Sequence, residues 1–168
     1  LGGMITCAQC VMPPPIDEAV IADNQAPRIV LSSLTPDPAK GPRHMLTTVC
    51  PPYLFLAQLT DPDLTDILYW RVFINYNRQD PETLIATEVH QYLQTGNPTP
   101  ISFSIDAQDP SFNNPVGSGI PDQIELFISD RPFASDTREP VAQSVLENAL
   151  TDAFIWTVYR TNDSCSAE

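Results

Sequence analysis

Two cysteines three positions apart and a tight group of aspartates are the side chains whose spacing invites chemistry. Cys7 and Cys10 form the pair C-A-Q-C. A redox centre of that spacing needs a strand before it and a helix after it. Here Val11-Met12-Pro13-Pro14-Pro15 follows, and prolines in succession do not form a helix. A zinc half-site needs a second pair of ligands, and His44 and His90 are isolated. Haem attachment needs histidine at position 11, which is Val11. Two readings stay open: a disulfide within the tail, or lipidation of Cys7 or Cys10.

Ile5-Thr6-Cys7 resembles the lipidation pattern of bacterial lipoproteins, with Thr6 where Gly, Ala or Ser is usual. The Pro-rich, acidic stretch behind it suits a tether. The other two cysteines flank the apolar body of the chain: Cys50 precedes its first long apolar run and Cys165 follows its last. A disulfide between them would tie down the C-terminal tail. Closing so long a loop contributes about 4–5 kcal/mol in the chain-entropy account. The alternative is two separate buried thiols.

Asp61, Asp63 and Asp66 crowd one turn with Pro62. Calcium takes several oxygen ligands, so these three are the candidate metal ligands. The competing reading is turn chemistry alone, since Asp and Pro favour turns for local reasons. Asp106 and Asp109, beside a long loop, pose the same choice. Hydrolytic chemistry finds little support. Gly117-Ser118-Gly119 lacks the G-x-S-x-G spacing of a nucleophile elbow, and neither His44 nor His90 has a Ser or Cys partner in a recognisable order.

The elements that must position these groups read as strands. In Tyr53–Asn77, two apolar runs flank the acidic turn, and we read them as the central strand pair of an antiparallel β-sandwich. Leu68, Trp70, Val72, Ile74 and Tyr76 alternate onto one face; Tyr69, Arg71, Phe73 and Asn75 take the other. Further strands are expected over 28–34, 45–49, 84–93, 101–105, 123–129 and 153–159, with a short helix over 141–150. Ile124, Leu126, Ile128, Phe154, Trp156 and Val158 are expected to point inward. Trp70 and Trp156 are then core rather than sugar-stacking residues. The outward set Tyr69, Phe73, Phe127 and Tyr159 would form an apolar partner surface, unless the 107–122 loop or the tail covers it. About seven short strands with Pro-rich turns indicate an immunoglobulin-like sandwich over 28–168, after a tail and tether over 1–27.

Composition narrows the partners. Twenty-one acidic residues face eight basic ones, a net charge of −13. No basic patch is present, which argues against nucleic acid. No stretch of apolar residues is long enough for a transmembrane helix, so membrane contact would come through an N-terminal lipid anchor. Eighteen prolines against six glycines make the loops extended and stiff.

LTDPDLTDILYWRVFIN resembles the acidic turn and aromatic strand of bacterial immunoglobulin-like modules of the polycystic-kidney-disease and cadherin-like kind. QIELFISDRPF is similar to a later strand of such modules, running into an Asp-containing corner. As architecture the resemblance covers residues 28–160. It implies a cell-surface or periplasmic module, often a lipoprotein, without enzyme activity. The expected function is a non-catalytic, exported accessory or structural subunit of a cell-envelope or extracellular assembly, whose partners are protein subunits. The alternative is a ligand-binding module for glycan or calcium-dependent adhesion. No cofactor is expected beyond calcium. The expected location is extracytoplasmic: periplasmic, outer-membrane-anchored or secreted.

Overall fold

A computed structural model describes residues 24–41, 43–46, 50–76, 90–93, 98–133 and 148–163. These residues hold eight strands and no α-helix: β1 Arg28–Ile29, β2 Arg43–Leu46, β3 Tyr53–Thr60, β4 Ile67–Ile74, β5 His90–Leu93, β6 Thr99–Ile105, β7 Asp122–Ser129 and β8 Thr151–Thr161. They form two sheets, one ordered β1-β3-β6 and the other β2-β8-β7-β4-β5. All pairings are antiparallel except β2 with β8, which is parallel.

The two sheets share one apolar core. Phe55, Ala57 and Leu59 of β3 and Ile101 and Ile105 of β6 supply one side. Leu68, Trp70, Val72 and Ile74 of β4, Ile124, Leu126 and Ile128 of β7, and Trp156 and Val158 of β8 supply the other. The alternation expected of β4, β7 and β8 therefore places the inward residues correctly. Aromatic rings bridge the layers. Phe55 stacks on Phe103 at 5.2 Å and meets Trp156 edge-on at 5.3 Å. The Trp156 indole N–H donates to the Pro36 carbonyl at 2.9 Å, so both tryptophans are core and Trp156 also fixes the chain beside the cis Thr35–Pro36 bond.

Several expectations need correction. β3 and β4 do not pair with each other, because each belongs to a different sheet. Both bury a face in the shared core, so the acidic turn must cross the interlayer gap of about 10 Å rather than close a hairpin. The first strand is two residues long, not 28–34. After it the chain coils into a short 3-10 turn at Leu31–Ser33. Ser33 Oγ donates to the Val30 carbonyl and accepts the Gln58 N–H, taking the place of the strand ladder. Tyr76 does not join the inward set. Asn75 has φ 51°, which breaks the strand and shifts the alternation, and Tyr76 packs at 5.0 Å from outward-facing Phe73. The proposed helix falls largely outside the described residues.

The packing predicts a sharp contrast on β3. Phe55→Ala removes a fully buried ring at the layer interface and should cost about 3–5 kcal/mol. Leu54→Ala, one residue away and 56% exposed, should stay within about 0.5 kcal/mol. Urea unfolding of the two variants measures both.

Candidate functional site

Strand directions give the sandwich two poles, and both are organised by carboxylates. At the first pole, β3 and β7 end while β1, β4 and β8 begin. Asp61, the residue after β3, is 0% exposed. One of its oxygens accepts the Asp63 N–H at 2.8 Å, and Asp66 N–H donates to the Asp63 carbonyl at 2.9 Å. The turn is thus shaped by its own aspartates. Asp130, 2% exposed, accepts Leu150 N–H at 2.8 Å and the Asn24 side-chain amide at 2.6 Å. Asp63 accepts Gln25 N–H at 2.7 Å, and Asp152 accepts Ile29 N–H at 2.9 Å. The end of the expected tether, at Asn24 and Gln25, is therefore fastened to the domain by two carboxylates, Asp130 and Asp63, while Asp152 fastens β1.

Burial holds the Asp61 carboxyl above its ordinary 3.8. The Asp63 N–H opposes that shift, while the negative charges of Asp66, Asp63 and Asp130 reinforce it. Among the described residues, no group of three or more His, Cys, Asp or Glu side chains is arranged to hold a metal ion.

At the second pole, β3 and β7 begin and β4, β6 and β8 end. Here Asp122, 1% exposed, pairs with Arg160 at 3.1 Å. Asp122 Oδ1 also accepts the side-chain amides of Asn75 at 2.7 Å and Asn114 at 2.9 Å. The Arg160 guanidinium donates to the carbonyls of Ala107, Phe112 and Asn114 and lies 4.7 Å over the Phe112 ring. One cation thereby pins the 106–121 loop to the end of the sheet. Sequence reasoning missed this centre, because the pair is separated by 38 positions and neither partner sits in a motif. Within the loop, Asp106 and Asp109 accept the N–H groups of Gln108 and Ser111, both at 2.9 Å, so their role is turn-building. Gly117 and Gly119 both have φ 72°, and Ser118 Oγ accepts Ile120 N–H, which makes Gly117-Ser118-Gly119 a turn.

The outward aromatic set divides. Phe73 and Phe127 form a second buried cluster with Phe133, and Tyr69 and Tyr76 pack against it. The Arg71 guanidinium sits 4.2 Å over the Phe133 ring, and burial lowers its pKa below the ordinary guanidinium value. Phe133, from the segment after β7, thus closes over Phe73 and Phe127. The tail over 1–23 lies outside the described residues. Tyr159 stands apart, opposite His44 near the far end of β8. Cys50 is disulfide-bonded, and Cys7, Cys10 and Cys165 all lie outside the described residues. His44 and His90 fall on β2 and β5. No family model, no curated protein and no solved structure matches the chain.

Two predictions follow from the poles. Arg160→Met leaves Asp122 buried without its cation and should cost about 3–5 kcal/mol. Hydrogen exchange in the 106–121 loop should rise in the same variant. The second concerns pH. A carboxyl whose folded pKa is raised stabilises the fold below its unfolded pKa, and that contribution is lost as pH rises through the folded value. Asp61→Asn keeps an acceptor for Asp63 N–H and removes the titration. Its stability relative to the wild type should therefore increase as pH is raised above about 4; parallel urea curves across the series would refute the assignment.

Proposed function

We propose that the chain is an exported, non-catalytic immunoglobulin-like module that serves as an accessory or structural subunit of a cell-envelope or extracellular assembly, through protein–protein contact. The observation that carries this reading is how the buried polar side chains are used. Asp122 and Arg160 fasten a loop; Asp130 fastens the residue-24 and residue-150 segments. Their chemistry is that of holding chain in place rather than of making or breaking bonds.

Strand order supports the immunoglobulin-like assignment. In such a fold β1, β3 and β6 would correspond to strands A, B and E, and β8, β7, β4 and β5 to G, F, C and C′, with β2 continuing the first strand beside G. The disulfide at Cys50 supports an oxidising compartment. Its pairing with Cys165 is compatible with the topology, since β3 starts at the pole where β8 ends. An N-terminal lipid at Cys7 or Cys10 would complete the anchoring.

The test is the intact mass and fractionation of the protein from its native source. Acyl mass on Cys7 or Cys10, membrane fractionation and recovery in a stoichiometric complex are the expected result. A free, unmodified chain in the cytosol would overturn the reading.

A further inference from the structure

The outer edge of β6 differs from every other sheet edge described. β1 is two residues long and carries Arg28, β2 is four residues long and carries Arg43, and β5 is four residues long. Short edges, charges and proline are the usual protections against strand addition, and of these β6 has only Pro100, at its second residue. β6 runs seven residues, Thr99–Ile105, without a charge. Among the described residues no strand lies beyond it. Across the whole β1-β3-β6 sheet, Arg28 is the single charged strand residue, in a chain of net charge −13.

The backbone groups that β6 turns outward follow from its partner. Leu56 exchanges both hydrogen bonds with Thr35, and Gln58 accepts from Val30 and donates to Ser33, so these residues point their main-chain groups toward the β1 side. In an antiparallel ladder the intervening residues point the other way. Phe55 and Ala57 are therefore the residues that bond Phe103 and Ile101. Ser102 and Ser104, between and beyond these, turn N–H and C=O to the edge away from β3. Their side chains are exposed on the outer face. Pro100 has the same orientation but no N–H to offer.

We propose that β6 is a self-association edge, on which a second copy of this chain adds its own β6 in antiparallel register about a two-fold axis beside Phe103. Ser102 then pairs with Ser104 of the second copy, and Ser104 with Ser102. This register uses both serines as donor and acceptor and keeps Phe103 on the core side. A shift that opposed Ser102 to itself would set Pro100 against Ser104 and lose a donor at each end. A two-fold interface must be self-complementary. An uncharged edge satisfies that condition, whereas the carboxylate-rich pole around Asp61 brought against its own copy would set like charges together. The inference goes beyond the proposed function and does not depend on export or lipidation.

Sedimentation velocity of the full chain over a rising concentration series is the test. The wild type should pass from monomer to dimer. Ser102→Lys with Ser104→Lys places lysine against lysine across the axis and should sediment as monomer throughout. Ser102→Glu with Ser104→Lys places opposite charges in the same pairs and should restore the dimer. Thermal melts confirm that both variants retain the fold. A wild type that stays monomeric overturns the proposal while leaving the proposed function intact. A dimer indifferent to the paired lysines overturns it too, by placing the contact elsewhere.

Discussion

The pairing of Arg160 with Asp122 is the constraint on which the second pole depends. Asp122 opens β7 and Arg160 lies near the end of β8, so the pair joins neighbouring strands where their ladder finishes. Both side chains are withdrawn from water, and a charge so placed is tolerable only with a partner and further hydrogen bonds. Asn75 and Asn114 supply those to the carboxylate; the Ala107, Phe112 and Asn114 carbonyls supply them to the guanidinium. The loop is held because the cation needs its carbonyls. A long segment with little secondary structure thereby becomes part of the domain.

The opposite pole solves a different problem with the same chemical group. There backbone and amide N–H groups donate to Asp63, Asp130 and Asp152. Each aspartate accepts from a segment that would otherwise enter the sandwich unsecured: Asp63 from Gln25, Asp130 from Asn24 and Leu150, Asp152 from Ile29. The cost is visible at Asp61, where burial and three neighbouring acids oppose ionisation. Between the poles the core is apolar and aromatic, with Phe55 and Phe103 stacked within one sheet and both meeting Trp156 of the other.

Much of this frame was legible in the sequence. Period-two spacing in Leu68–Ile74 and Ile124–Ile128 put the right residues in the core, because alternation is a local property of the pleat. Partnership between strands was not legible. The β3 and β4 runs are adjacent in sequence and alike in pattern, yet hydrogen bonding assigns them to separate sheets. Nor does alternation register a left-handed residue. Asn75 resets the phase, and Tyr76 crosses to the outer cluster. The acidic turn was visible as a turn, but the buried anchoring of Asp122 and Asp130 depends on contacts with residues far away in the chain.

The segment entering at Asn24 is fastened to one pole, and β8 leaves from the other. A load applied between residues 24 and 163 would therefore run nearly parallel to the strands. Under such a load β1 against β3, and β2 against β8, would slide lengthwise rather than peel apart, so their ladder bonds would strain together instead of one after another. The aspartate clasps at Asn24 and Gln25 stand first in line to take that load.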